Sequence, residues 1–282
     1  MEIAQTIEQV RFAVAAAKRA GKTVGFVPTM GALHDGHATL IDAAWRQCGF
    51  VVVSIFVNPT QFGPNEDLSR YPRTPQADQS QCRQHGADLI FMPSVETMYG
   101  SNRLTEVRVD ALSGSLCGAS RPGHFAGVCT VVAKLFNIVG PDAAFFGAKD
   151  FQQATIIRKM TADLDFPTEI VVCPTIRESD GLAMSSRNRY LTAQERTQAP
   201  ALYQSLELAR EMVTQRHPPA DEVKAAILAH LAAQAPAGTV DYVEIVDPDT
   251  LQNVATTDKP VQVVLAVKFP SARLIDNMAL TS

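Results

Sequence analysis

The chain has 282 residues, which allows roughly two domains of about 150 residues or one large one. Apolar residues make up 46% and charged residues 19%, which excludes a disordered or collagen-like chain. Lys plus Arg number 25 against 29 Asp plus Glu, and the formal charge of −4 argues against bulk binding to nucleic acid or to an anionic membrane. No apolar run approaches the roughly 20 residues of a membrane span. The start, Met1-Glu2-Ile3-Ala4-Gln5-Thr6, lacks the basic region and apolar stretch of a signal peptide. Cys48, Cys82, Cys117, Cys129 and Cys173 are odd in number, widely spaced and form no C-x-x-C pair. That usage fits a reducing cytoplasm, with the thiols as small buried hydrophobes.

In chain order, Thr6-Ile-Glu-Gln9 reads as a capping box that opens a helix, and Gly21 ends it. A short β-rich run covers 23–28, and helical spacing follows over 36–48 through Leu40, Ile41, Ala44 and Trp45. The continuous apolar run 50–57 (FVVVSIFV) is the pattern of a parallel strand covered on both faces. A Pro-rich loop over 58–75 leads through a helix to a short strand at 87–92. Then come a long apolar helix over 124–139, a strand over 143–147, a helix over 151–164 and a strand over 169–173. Strands alternating with helices imply βαβ crossovers, so the expected fold is α/β: a Rossmann-like, doubly wound parallel sheet of five strands.

Past about 175 the pattern changes. Thr192-Ala-Gln-Glu195 is a second capping box, opening a helix to about Gln215, and a further helix is expected over 220–234. Residues 240–246 and 261–269 alternate as strands. The expected organisation is a domain over 1–175 that binds ligand and a smaller C-terminal α+β domain over 176–282.

Ligands in doubly wound sheets bind beyond the carboxyl ends of the strands, where strand order reverses. The segment Pro28-Thr-Met-Gly-Ala-Leu-His34-Asp-Gly-His37 lies at such an end and at the start of a helix. Two imidazoles three residues apart, with Gly31 and Gly36 around them, can face one anion beside free helix N–H groups. Zinc ligands and ordinary loop histidines are the competing readings, but no third ligand stands at metal spacing nearby, and the full segment at a ligand-binding loop outweighs the second. Gly21-Lys22-Thr23 mimics the end of a P-loop, yet it precedes a strand and lacks the first glycine, which would fall at Ala16.

Other strand-end loops add polar groups. Asn58 and Gln61 offer both donors and acceptors, suited to a hydroxyl and a carboxylate in one ligand, although Asn-Pro is also a common turn. Arg121 is evenly balanced between an anion ligand and a solvated loop residue. In Phe146-Gly147-Ala148-Lys149-Asp150-Phe-Gln-Gln153, Lys149 suits a phosphate, Asp150 suits ribose hydroxyls or a helix cap, and Gln153 lies one turn further on. Met184-Ser185-Ser186-Arg187 combines hydroxyls with a guanidinium, which suits a polyphosphate or a mobile lid. No paired carboxylates, nucleophile elbow or catalytic cysteine signature stands out. The set suits ATP phosphates and a carboxylate held side by side, where positioning and charge stabilisation carry the chemistry.

His34-Asp-Gly-His37 resembles the His-x-Gly-His signature of the nucleotidyltransferase superfamily. The strings PTMGALHDGH, SIFVNPTQFGPNEDLSRYPRT, RPGHFAGVCTVVAKLFN, FFGAKDFQQ and MSSRNRYL, with DYVEIVD near the C-terminus, resemble the pantoate–β-alanine ligase family over nearly the whole chain. Asp35 and Ala148 stand where that family often has Glu. The resemblance implies condensation of (R)-pantoate with β-alanine, using ATP and Mg²⁺, through a pantoyl adenylate, with AMP and pyrophosphate released. It implies ATP binding by Met30, Gly31, Ala32, Leu33, His34, Asp35, Gly36 and His37, by Gly147, Ala148, Lys149 and Asp150, by Ile176 through its backbone, and by Met184, Ser185, Ser186 and Arg187. His34, His37, Lys149 and Arg187 are the implied catalytic set, with His37 as proton donor. Gln61, Gln153 and Asn58 are the substrate residues. The resemblance also implies a cytoplasmic homodimer with small-molecule partners and neither nucleic acid nor membrane among them; metal ligands stay unassigned. Another nucleotidyltransferase and a catalytically dead nucleotide-binding module are the competing classes.

Overall fold

The computed structural model describes residues 1–64 and 66–280. The chain divides into two compact units. One comprises residues 1–114, 121–148 and 156–174, and the other comprises 115–120, 149–155 and 175–282.

The first unit is built on a six-stranded parallel sheet. Its strands are β1 (Glu2–Ala4), β2 (Val24–Thr29), β3 (Phe50–Ile55), β4 (Leu89–Phe91), β5 (Ala143–Gly147) and β6 (Glu169–Cys173), in the order β1-β4-β3-β2-β5-β6. The expected doubly wound sheet is present with one strand more than the sequence predicts. The extra strand, β1, is a three-residue edge strand pairing Glu2 with Leu89, too short to carry an alternation signal. The chain runs outward from β2 to β3 and β4, then returns to lay β5 on the other side of β2, where Gly25 pairs with Ala143. Loops leaving β2 and β5 therefore diverge, which makes the crevice beyond their carboxyl ends the natural ligand position.

The elements form for identifiable reasons. Helix α1 (Ile7–Arg19) opens on the expected capping box between Thr6 and Gln9. Helix α2 (Asp35–Gln47) follows β2 and buries Ala38, Leu40, Ile41 and Ala44. Helices α3 (Pro75–Gln84), α4 (Val95–Tyr99), α5 (Asp110–Ser113), α6 (Cys117–Ser120), α7 (His124–Val139) and α8 (Phe151–Asp163) complete the crossovers and loops before β6. The strand residues Phe26, Leu89, Ile90, Phe91 and Phe145 are fully buried, as a sheet covered on both faces requires. Truncating one of these phenylalanines to Ala costs about 3–5 kcal/mol.

In the second unit, α9 (Ala193–Gln198), α10 (Ala201–Arg216) and α11 (Ala220–Gln234) precede an antiparallel sheet of β7 (Thr239–Val246), β8 (Val261–Lys268) and β9 (Arg273–Leu280), in the order β7-β8-β9. The Thr192–Glu195 capping box forms, but the single helix expected to about Gln215 is two. Pro200 lacks the N–H that would continue the ladder and starts α10 instead. The third strand, β9, is also missing from the sequence reading. It pairs along its whole length with β8 and buries Asp276 and Asn277.

Candidate active site

The loop leaving β2 is tightly determined. Gly31 has φ +81° and Ala32 φ +51°, two consecutive left-handed residues that turn the chain toward α2. A Cβ on Gly31 would stand 2.9 Å from Asp78 Oδ2 and 3.1 Å from Ile55 Cγ2, so the position admits no side chain. Asp78, in the first turn of α3 and 2% exposed, holds this loop by its carboxylate. Its oxygens accept the N–H groups of Ala32 at 3.1 Å and Leu33 at 2.9 Å, and the Thr74 hydroxyl at 3.0 Å. Thr29 Oγ1 accepts the Gly31 N–H at 3.2 Å and donates to the Ser54 carbonyl.

His34 is the N-cap of α2. Its Nδ1 accepts the Gly36 N–H at 3.1 Å, and His37 Nδ1 accepts the His34 N–H at 3.4 Å. The two rings lie 4.1 Å apart, centroid to centroid. A nitrogen that accepts an N–H bond carries no proton, so each neutral imidazole bears its proton on Nε2. The pair thus joins two Nε2–H donors to the positive end of a helix.

After β3, a 3-10 turn at Pro59–Gln61 is capped by Asn58. Asn58 is 1% exposed, and Gln61 is 7% exposed. Asn58 Nδ2 donates to Gln61 Oε1 at 3.0 Å and to the Gly127 carbonyl at 3.2 Å, and Gln61 Nε2 lies 3.0 Å from Met30 Sδ. Asn58 Oδ1 accepts from the Tyr99 hydroxyl at 2.6 Å and from Thr60. Asn58, expected among the substrate residues, therefore has its amide taken up by protein partners. Arg121 forms a two-pronged ion pair with Glu66, at 2.7 and 2.6 Å. Burial raises the Glu66 pKa, and the hydrogen bonds and charge of Arg121 outweigh it and hold the carboxyl below its ordinary value. Arg121 also meets His124 Nε2 at 3.0 Å, and His124 Nδ1 donates to the Gln61 carbonyl at 2.8 Å.

Gly147, the last residue of β5, and Ala148 belong to the first unit, and the second unit carries the other expected residues. Lys149, 18% exposed in its side chain, lies 3.9 Å from the Asp150 carboxylate. Its carbonyl accepts from Asn277 Nδ2 at 2.8 Å. Gln152 is buried and binds the Cys117 N–H and the Ser115 carbonyl, whereas Gln153 is half-buried. Ile176 and Met184 meet across a tight antiparallel turn, the Met184 N–H donating to the Ile176 carbonyl at 2.9 Å. Ser185 caps a 3-10 turn at Ser186–Tyr190 through the Arg187 N–H at 3.3 Å. Next to it, Arg177 is clamped by Asp276 at 2.6 and 3.0 Å.

The first unit thus holds Met30–His37, Asn58, Gln61, Gly147 and Ala148. The second gathers Lys149, Asp150 and Gln153 on one segment and Ile176 with Met184–Arg187 on another. The sequence reading missed Asp78, Tyr99 and Asn277, which support site residues without standing in the motifs. Among the described residues, no cluster of three or more His, Cys, Asp or Glu can hold a metal ion.

The family model described as pantoate-beta-alanine ligase matches residues 2–279. The chain belongs to that family. A pantothenate synthetase of Moorella thermoacetica is 50% identical over 280 residues, covering 99% of both chains. One of Thermotoga neapolitana is 50% identical over 280 residues, covering 99% of this chain and all of that one. The crystal structure of the Thermus thermophilus pantothenate synthetase superposes with a TM-score of 0.94 at 46% identity, covering 99% of each chain. A family member from Francisella tularensis, solved as a complex with beta-gamma ATP and beta-alanine, superposes with a TM-score of 0.80 at 34% identity, covering 99% of this chain and 97% of that one.

Proposed function

We propose that this chain is the pantoate–β-alanine ligase its family implies, joining (R)-pantoate to β-alanine with ATP through a pantoyl adenylate. In the first step the pantoate carboxylate attacks the α-phosphorus of ATP. The bond from that phosphorus to the bridging oxygen breaks, and pyrophosphate leaves. In the second step the neutral amine of β-alanine attacks the acyl carbon. The carbon–oxygen bond to AMP breaks, the amine loses a proton, and the amide remains.

The observation that carries this reading is the build of the β2–α2 loop. Two imidazole Nε2–H donors sit at a helix N-terminus, on backbone locked by a buried carboxylate. Such fixed donors stabilise charge that develops on a leaving phosphate without reorganising during the reaction. We assign ATP to Met30–His37, Gly147–Asp150, Ile176 and Met184–Arg187, with His34, His37, Lys149 and Arg187 on the phosphates. His37 is the proton donor of the reading. Gln61 and Gln153 take pantoate, with Asn58 behind Gln61. Mg²⁺ would accompany ATP as its counter-ion, held through the phosphates. We further propose that the enzyme works in the cytoplasm as a homodimer. The five free thiols support the first, and the family resemblance supports the second.

The test is a product assay with ATP, Mg²⁺, pantoate and β-alanine, omitting each substrate in turn. AMP and pyrophosphate are expected only when pantoate is present, and the amide only when β-alanine is added. Nucleotide retained on the product would instead indicate another nucleotidyltransferase. ATP binding without turnover would indicate a regulatory module.

A further inference from the structure

An amide side chain has two ends of similar shape, and only its partners decide which end is which. Around Asn58 the partners are decisive. One end faces the Thr60 backbone N–H at 3.3 Å, the Thr60 hydroxyl at 2.9 Å and the Tyr99 hydroxyl at 2.6 Å. A backbone N–H only donates, so this end is the oxygen. The other end faces the Gly127 carbonyl at 3.2 Å, which only accepts, so that end is the NH₂ group. The same NH₂ group meets Gln61 at 3.0 Å, and the Gln61 atom facing it must accept.

We propose that Tyr99 and Asn58 form a relay that fixes the polarity of Gln61, so that Gln61 offers N–H donors to an acceptor oxygen of the hydroxy acid. The proposal rests on the reading that Gln61 meets pantoate. With Oε1 held by Asn58, Nε2 is the outer end and lies 3.0 Å from Met30 Sδ. A thioether is a weak acceptor, and a carboxylate or hydroxyl oxygen is a better one. The group that Gln61 selects is therefore an oxygen acceptor and not an ammonium. Tyr99 and Asn58 are positioning residues in this scheme, since neither touches substrate.

The surroundings keep the relay rigid. A Cβ on Gly127 would stand 2.4 Å from the Thr60 carbonyl, so α7 presses directly on the turn that carries Gln61. The Gln61 carbonyl is held by His124 and, at 3.4 Å, by Arg121. Burial pushes the Tyr99 phenol pKa up, which keeps its proton in place for donation.

Steady-state kinetics of pantoate-dependent pyrophosphate release test the relay on Tyr99→Phe and Gln61→Glu. Tyr99→Phe keeps the ring against Phe56, at 6.1 Å, and beneath Arg103, at 5.1 Å, and removes only the hydroxyl. Losing one hydrogen bond in the relay is expected to raise the KM for pantoate about 3–10-fold while the KM for ATP stays within about twofold. Gln61→Glu removes every donor and sets a carboxylate against a carboxylate, with an expected loss of about 100-fold in kcat/KM for pantoate. Equal movement of both KM values in Tyr99→Phe, or a tolerated Gln61→Glu, would overturn the proposal. Nuclear Overhauser contacts supply a readout independent of turnover: the Gln61 NH₂ protons are expected beside the Met30 methyl group. NH₂ protons pointing at Asn58 instead would overturn the relay even in an inactive protein. An absence of pantoate-dependent pyrophosphate from the wild-type enzyme would count against the functional reading alone.

Discussion

Asp78 Oδ1 accepts the backbone N–H of Leu33 at 2.9 Å, across 45 residues of sequence. Its second oxygen takes the N–H of Ala32, a residue in the left-handed region, where an alanine is strained. The carboxylate therefore supports a loop conformation that local sequence disfavours, and His34 follows that loop directly. Asp78→Ala leaves two buried N–H groups without an acceptor. We expect a stability loss of about 2–4 kcal/mol in urea melts, and a raised KM for ATP in the folded fraction. Thr74→Val removes only one of the three bonds and is expected to cost about 1 kcal/mol.

Removing one fixed donor from the phosphate site is expected to slow turnover about 10²–10³-fold, for His37→Ala and for Lys149→Ala alike. Circular dichroism should show both variants folded. Near-normal turnover in either would take that residue out of the mechanism.

The histidine pair gives a spectroscopic expectation. Both Nδ1 atoms accept N–H bonds, so the neutral rings are both Nε2–H tautomers. Long-range ¹⁵N–¹H correlation spectra of the folded enzyme distinguish the two tautomers directly. An Nδ1–H signal from His34 would contradict the capping geometry and the donor role assigned to Nε2.

Much of the first unit is legible because its strands are buried on both faces and read as apolar runs. Phe50–Ile55 is the clearest case, and both capping boxes form as their spacing requires. β9 is hidden for the opposite reason. Its Asp276 and Asn277 break the apolar pattern, and they are buried only because Arg177, Gln262 and the Lys149 carbonyl receive them. The site divides in the same way. Motif residues such as His34 and Lys149 stand out by type and position at strand ends. Asp78 and Tyr99 act through hydrogen bonds to residues 41 to 46 positions away, and no local pattern encodes such a pairing. Arg121, evenly balanced in the sequence, is settled as a partner of Glu66 by a contact spanning 55 residues.

Acid stability provides a further test in the second unit. Burial of Asp241 raises its pKa, but hydrogen bonds from Lys268, Ser120 and Arg273 outweigh burial and hold the carboxyl down to about 2. Its unfolded value is about 3.9. Because the folded pKa is the lower one, the stabilisation is fully present above about pH 4 and is lost as pH falls toward 2. Asp241→Asn is expected to lower stability at pH 7 and to flatten the acid limb of a stability–pH curve. An acid limb that keeps its slope would assign it to other carboxylates.

The thiols divide by environment. Burial pushes Cys82 up to about 12, with the neighbouring Asp78 charge adding to it, and burial alone drives Cys129 up to about 12. Both side chains are inaccessible in the folded chain. The thiolate is the reacting form, so neither should react with iodoacetamide at pH 8 while the protein is folded. Burial also raises Cys48, but its side chain is only half-buried, so it is expected to label ahead of both. Mass spectrometry of peptides after timed alkylation gives the order. Because Cys82 lies one turn beyond Asp78 on α3, its labelling also reports on the loop that carries the histidine pair. Asp78→Ala should speed modification of Cys82 and leave Cys129 unchanged, since Cys129 sits in α7. Equal acceleration at both cysteines would indicate general unfolding rather than release of the β2–α2 loop.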